Sequence, residues 1–244
     1  MVSFWDVVNK VIIEADVILE VLDARNIFET RNSEVEDKVK KAGKPLIYVI
    51  NKCDLVDKVK LEKEKKKLRH SVFISSVHHL GTGMLREKIM SISKGEQVKV
   101  GVLGYPNTGK SSLINALKGS GAAKTSSESG YTKGLQRVRA SGKIVFLDTP
   151  GVIPYKEDTD RKHVKISAID YSKIKEPDLA AMQLIDETEG LIQKFYGVLG
   201  KDSEEILENI AIKYKKLKKG GTPNMEVTGR MILRDWQIGK IKHI

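Results

Sequence analysis

The stretch Gly104–Ser111, which reads G-Y-P-N-T-G-K-S, decides the fold because it matches the phosphate-loop pattern G-x-x-x-x-G-K-S. An apolar run at 97–103 predicts a buried strand before it, and the run at 112–117 predicts a helix after it. Glycines allow backbone N–H groups to close around phosphates, and a helix N-terminus favours negative charge. We therefore predict a triphosphate site in which the Lys110 ammonium reaches the outer phosphates and the Ser111 hydroxyl binds Mg²⁺. The other predicted phosphate-binding residues are Asn107, Thr108, Gly109 and Ser112.

The motif N-K-C-D at 51–54 ends another apolar run and predicts which base the site accepts. A carboxylate accepts two hydrogens at a fixed spacing, which guanine offers through its ring N1–H and its exocyclic amine, whereas adenine does not. A buried carboxylate left unpaired by adenine makes the discrimination large. Asp54 is therefore predicted to bind guanine, with Asn51 at the other edge of the base and the Lys52 stem over the ring face.

A small-residue turn is predicted after the short strand at 72–74, where Ser75 and Ser76 follow one another. Such a turn can present a backbone N–H to the guanine O6, so both serines are predicted to bind the base. His78 and His79 come next and could be metal ligands. No Cys or carboxylate cluster accompanies them, and a plain loop is the favoured interpretation.

The sequence D-T-P-G at 148–151 ends a predicted strand and is predicted to lie beside the γ-phosphate. Asp148 is predicted to hold Mg²⁺ through water, and the Gly151 N–H to sense the γ-phosphate. The Gly-, Ser- and Lys-rich segment 119–133 is predicted to be a loop, and one of its threonines could reach Mg²⁺ and the γ-phosphate. Thr132 is favoured over Thr125, because it leads directly into the next strand. The predicted metal ligands are Ser111, Thr132 and Asp148; the predicted catalytic residues are Lys110, Thr132 and Gly151.

The tetrad D-A-R-N at 23–26 also follows an apolar run that predicts a strand. Its acidic and basic side chains could contact a ligand or a partner. A salt-bridged turn explains them equally well, so both interpretations stay open.

Composition restricts the class of protein. The 244 residues suit one α/β domain with a smaller companion, and the net charge of +11 predicts an anionic partner. The single cysteine excludes a disulfide framework and fits a reducing cytoplasm. No segment approaches the ~20 apolar residues of a membrane span, and the first residues lack the features of a signal peptide. We expect a cytoplasmic protein that is monomeric and does not contact a membrane.

Together these motifs resemble the five GTP-binding motifs of the GTPase superfamily, but the base motif precedes the phosphate loop. This order resembles the circularly permuted GTPases. Segments 23–26, 104–111 and 148–151 are similar to the branch that acts in large ribosomal subunit assembly, strongly up to about residue 154. The resemblance implies an α/β P-loop GTPase domain at 1–159, with permuted strand order and a mostly parallel six-stranded sheet. It also implies a helical C-terminal domain at 160–244 that binds RNA or the ribosome.

The same resemblance implies hydrolysis of GTP to GDP with Mg²⁺, and binding to the large ribosomal subunit or its rRNA. The alternative is a guanine-nucleotide switch with a protein effector. Val152 lacks a hydrogen-bonding group where many relatives hold a glutamine that orients water, so hydrolysis is expected to be slow unless a partner stimulates it. Asn107 resembles the asparagine of relatives that use K⁺, so K⁺ dependence is expected.

The C-terminal part is predicted to form helices from Asp178 past Leu191, from 203 to Lys218, and from Thr222–Pro223 to Gly239. On the last of these, the apolar residues Ile232, Leu233 and Trp236 are predicted to pack inward. The basic helix ends match the helix dipole, but they could equally bind an RNA backbone.

Overall fold

The computed structural model describes residues 4–118, 136–140, 142–149 and 169–242. The chain divides into two compact units, Met1–Asp158 and Thr159–Ile244. Within the described ranges, no helix combines the length and apolar character needed to cross a membrane.

The first unit contains a six-stranded sheet in the order β3-β2-β1-β4-β6-β5. All neighbouring pairs are parallel except β5 and β6, which are antiparallel. The predicted mostly parallel six-stranded sheet is therefore confirmed. The strands are β1 Val17–Asp23, β2 Leu46–Asn51, β3 Ser71–Phe73, β4 Val98–Leu103, β5 Gln136–Ala140 and β6 Ile144–Asp148.

Helices cover both faces of this sheet, which explains why its central strands are almost continuously apolar. All seven residues of β1 are buried, and successive side chains point to opposite faces. One face packs against α4 and α5, and the other packs against α1, α2 and α3. The helices are α1 Phe4–Glu14, α2 Ser33–Lys41, α3 Lys58–Lys65, α4 Thr82–Ile92 and α5 Lys110–Lys118.

The sheet order brings the two decisive motifs together although the chain reaches them in reverse order. Strands β2 and β4 flank β1 on either side and run parallel to it. Their carboxyl ends therefore lie at one edge, where ligands bind in open α/β sheets. At this edge Gly104 has φ 143°, and a Cβ on it would lie 2.5 Å from the Val21 carbonyl oxygen. Only glycine allows the phosphate loop to leave β4 so close to β1.

The second unit is helical and has its own apolar core. Ile232, Leu233 and Trp236 are buried in it, which confirms their predicted inward packing. Its helices are α6 Pro177–Glu187, α7 Leu191–Tyr196, α8 Ser203–Lys213 and α9 Met225–Gln237.

Three predicted helix boundaries in this unit are wrong. The helix predicted to run past Leu191 ends at Glu187, because the Thr188 hydroxyl bonds the Leu184 carbonyl and Glu189 takes φ 44°. The next helix stops at Lys213 rather than Lys218. The chain then turns back in a short hairpin, with a bridge between Leu217 and Pro223.

The start of the last helix differs from its prediction for a related reason. Pro223 belongs to the hairpin bridge, so it cannot serve as the first-turn proline. The cap is Asn224, whose side-chain oxygen accepts from the Val227 N–H at 3.2 Å.

Candidate nucleotide-binding site

The phosphate loop places a buried ammonium at its centre. Lys110 begins α5 and is only 6% exposed, and its Nζ donates to the Gly104 and Tyr105 carbonyl oxygens at 2.9 and 2.8 Å. Burial lowers the pKa of Lys110 to about 8, although the neighbouring Asp148 carboxylate acts in the opposite direction. The loop also contains Asn107 at φ 60° and Gly109 at φ 94°. Lys110 is thus held within the curve of the loop, as a phosphate-binding lysine requires.

Asn51 links the base motif to the phosphate loop. Its Nδ2 donates to the Thr108 carbonyl oxygen at 2.9 Å, and its Oδ1 accepts from the Ser76 N–H at 3.2 Å and the Ser76 hydroxyl at 2.8 Å. A Cβ on Gly109 would lie 2.3 Å from Asn51 Nδ2. Three segments predicted to share a site therefore meet at this side chain. Its role at the guanine edge stays a prediction.

The remaining base-motif residues follow a sharp turn after β2. Lys52 has φ 61°, and Cys53–Leu55 forms a short 3₁₀ helix. Asp54 keeps 17% of its side chain exposed, and His78 Nε2 lies 3.7 Å from Asp54 Oδ2. Ser75 is fully buried, and its Oγ accepts from the His78 N–H at 3.3 Å. The serine turn therefore carries His78 to the carboxylate predicted to bind guanine, a neighbour that no sequence spacing signals.

The tetrad at 23–26 forms a buried salt-bridged turn, one of its two predicted interpretations. Arg25 donates from Nη2 to Asp23 Oδ2 at 2.7 Å, and from both its Nε and its backbone N–H to Oδ1 at 3.0 Å. Lys52 Nζ adds a second cation, 2.9 Å from Asp23 Oδ2. Burial alone would raise the pKa of the Asp23 carboxyl, but these two cations hold it well below its usual range. The turn thus contacts the base motif directly.

Asp148 ends β6 beside the phosphate loop and is 6% exposed. Within the described residues, its Oδ1 is buried without a hydrogen-bond partner. Burial raises the pKa of Asp148, and the Lys110 ammonium partly offsets this. Ser111, in the first turn of α5, is exposed. A carboxylate oxygen that lacks a partner and an exposed hydroxyl are ligands that suit Mg²⁺, which prefers oxygen and retains several waters.

Some predicted site residues lie outside the described ranges. These are Thr132, its alternative Thr125, Gly151 and Val152. Ser112 is described and exposed on α5, next to Ser111. The contacts predicted for all of them with nucleotide or metal stay predictions.

Comparisons with known proteins agree with this geometry. The family model described as "50S ribosome-binding GTPase" matches residues 99–217. The match begins within β4, at the phosphate-loop strand.

Curated relatives match almost the whole chain. A GTP-binding protein of Methanocaldococcus jannaschii, whose name calls it uncharacterized, is 42% identical over 97% of this chain and 65% of its own length. Nucleolar GTP-binding protein 2 of Saccharomyces cerevisiae is 33% identical over 97% of this chain and 52% of its own length. The chain therefore spans about half to two thirds of the length of these relatives.

Solved structures share the fold. The GDP-bound structure of YlqF from T. maritima matches with a TM-score of 0.68 at 23% identity, over 96% of this chain and 95% of that one. The GNP-bound structure gives a TM-score of 0.62 over 94% and 91%. At this level of identity, the match establishes a common fold.

Proposed function

We propose that this chain is a circularly permuted GTP-binding protein, which binds GTP and hydrolyses it to GDP and phosphate. The observation that carries the proposal is the hydrogen bond from Asn51 to the Thr108 carbonyl. It joins N-K-C-D to the phosphate loop, which supports the proposal that these two motifs bind the two ends of one nucleotide.

Each residue has a defined part in this proposal. The Lys110 ammonium and the N–H groups at the start of α5 bind the β- and γ-phosphates, while the Asp54 carboxylate accepts the two guanine hydrogens. The hydroxyls of Ser111 and Thr132, and Asp148 through water, would hold Mg²⁺, which supplies positive charge opposite the β- and γ-phosphates.

Hydrolysis is proposed to be slow in the isolated protein. At Val152, no side-chain donor or acceptor is available to orient the attacking water. We expect K⁺ to raise the rate through Asn107, and a partner to raise it further. Equal rates of phosphate release in K⁺ and Na⁺ buffers would remove the K⁺ part of the proposal.

The second unit is proposed to bind RNA of the large ribosomal subunit. Four exposed or half-exposed lysines lie in the hairpin that follows Lys213, the last residue of α8: Lys215, Lys216, Lys218 and Lys219. Exposed rings stand nearby, since Phe195 and Tyr214 both contact Tyr196 edge to face. Lysines bind phosphates, and exposed rings stack on unpaired bases. Arg230, on α9, supports this less, because it donates to the Ser172 carbonyl at 3.1 Å.

Co-sedimentation with purified large ribosomal subunits tests this function. We expect binding that is stronger with a non-hydrolysable GTP analogue than with GDP and that weakens as salt is raised. Binding that ignores both salt and nucleotide would favour the alternative, a nucleotide switch whose effector is a protein. The cytoplasmic location and the monomeric state stay predictions.

A further inference from the structure

One buried carboxylate in the first unit has a partner that its own turn does not need. Asp23 is 2% exposed, and Arg25 alone satisfies it with three hydrogen bonds, including one to each carboxylate oxygen. Lys52 nevertheless places a second cation against Oδ2 at 2.9 Å. A lysine in a turn ordinarily extends into water, because burying its ammonium is unfavourable.

The position of Lys52 is unfavourable in two respects. Its side chain is 17% exposed, and burial lowers the pKa of its ammonium even though Asp23 stabilises the charge. Its backbone has φ 61°, in the left-handed region that residues with a Cβ rarely adopt. Strained and buried groups of this kind cluster at ligand sites, where the surrounding structure holds them in place.

The contact between Asp23 and Lys52 follows from the sheet. Asp23 is the register partner of Asn51 across the parallel pair of β1 and β2, so the carboxylate lies beside the start of the base motif. The Asp23 backbone N–H donates to the Thr30 hydroxyl at 3.1 Å, and this bond stabilises the turn. The anchor for Lys52 is therefore built into the strand that lies between the base motif and the phosphate-loop strand.

We propose that Asp23 is a positioning residue for the purine base: its carboxylate holds the Lys52 ammonium so that the aliphatic stem of Lys52 lies over the ring. The proposal rests on the proposed function, because it assigns a role within the same nucleotide site. Asp23 acts through Lys52 and does not touch the nucleotide.

A double-mutant cycle on GDP affinity, measured by calorimetry with the full chain, tests this role. Asp23→Asn removes the anchoring charge, and Lys52→Met keeps the stem but removes the ammonium. We expect each variant to bind GDP about 10-fold more weakly, because a hydrogen bond to a charged group is removed. The double variant should bind within about 2-fold of Lys52→Met, because both changes remove one interaction. A purely structural role for Asp23 predicts two losses that multiply.

Thr30→Val is the matched control, because it loosens the same turn without touching the carboxylate. It should lower the midpoint of thermal unfolding and leave GDP affinity unchanged. If Asp23→Asn fails to fold, Lys52→Met still tests the proposal, because Asp23 remains bonded to Arg25 in that variant. Wild-type affinity in Lys52→Met, or multiplying losses in the cycle, overturns the proposal. A wild-type protein that does not bind GDP overturns the proposed function itself.

Discussion

The two units of this protein use polar residues in opposite ways. In the first unit, charged and amide side chains are buried at the carboxyl edge of a sheet, and some contact a group from another segment, as Asn51 contacts Thr108 and Asp23 contacts Lys52. In the second unit, the core is mainly apolar and most of the lysines lie on the surface. Buried polar side chains that converge on one place suit the binding of a single small ligand. Exposed lysines spread over a surface suit the binding of an extended anionic partner.

Replacement of Lys110 by alanine gives the largest expected effect and tests the first half of this comparison. Because the ammonium is buried within the phosphate loop, its removal should weaken GTP binding by about 100-fold or more, equivalent to roughly 3 kcal/mol for a charge-assisted contact. Titration calorimetry measures the affinity. Lys99→Ala, at an exposed position on β4, is the control and should bind GTP as the wild type does. Equal affinities in the two variants would contradict the assignment of the loop.

Replacement of Gly109 by alanine tests whether the two motifs are packed against each other. The new Cβ would meet Asn51 Nδ2 at 2.3 Å, and Asn51 is held by Thr108 and Ser76. Unfolding free energy should fall by about 2–4 kcal/mol, since buried hydrogen bonds are broken. Urea titration measures it.

Gly43→Ala is the matched control for that change. Gly43 also has a positive φ, 64°, but nothing lies within 4 Å of its added Cβ. Only backbone strain remains there, so the expected decrease in unfolding free energy is about 1 kcal/mol. Equal decreases in the two variants would show that Asn51 does not restrict the loop.

Glu20 makes the stability of the first unit depend on pH. Burial, together with repulsion from Glu36, raises the pKa of Glu20 from 4.5 to about 8. Between these pH values the folded state keeps a proton that the unfolded state releases, so the stability contribution of Glu20 falls as pH rises. Glu20→Gln removes the ionisation. Its stability relative to wild type should increase by roughly 1–3 kcal/mol from pH 5 to pH 8.

Amide hydrogen exchange in β1 measures this change in stability at the strand that contains Glu20. A pH-independent difference for Glu20→Gln would mean that this carboxyl is ionised in the fold.

Neutralising the hairpin of the second unit should give the smallest effect. Changing Lys215, Lys218 and Lys219 to glutamine should weaken binding to large-subunit RNA by about 10-fold at moderate salt. It should also reduce the salt slope by about 0.9 for each phosphate that the variant no longer neutralises. GDP affinity should not change, because the residues predicted to bind the nucleotide all belong to the first unit. An unchanged salt slope would show that these lysines do not contact the RNA phosphates.

Prediction from the sequence succeeded best in the motifs, where nucleotide binding requires particular residue types at a fixed spacing. The phosphate loop and N-K-C-D carry their own spacing, so the strands that end in them were predictable. The permuted order of the sheet was implied by the resemblance to circularly permuted GTPases. The pair formed by Asp23 and Lys52 was not predictable, because the two residues meet through strand register rather than through spacing.

Helix ends in the second unit were harder to predict for a different reason. Apolar periodicity continues across Thr188–Gly190, so the break there depends on a side-chain bond to the backbone that periodicity does not register. The lysine run after Lys213 suits a helix as well as a hairpin. Pairing of Leu217 with Pro223 decides between them.

Asp54 is proposed to bind guanine in the same site where Lys110 binds the phosphates. Calorimetric titration of wild type and Asp54→Asn with GDP, ADP and xanthosine diphosphate tests it most directly. Xanthine has a carbonyl where guanine has its amine, so the amide of the variant should pair with xanthine. We predict that wild type binds GDP at least about 100-fold more tightly than ADP, and that Asp54→Asn prefers xanthosine diphosphate. Equal affinity of wild type for GDP and ADP, or unchanged GDP binding in Asp54→Asn, would show that Asp54 does not bind guanine.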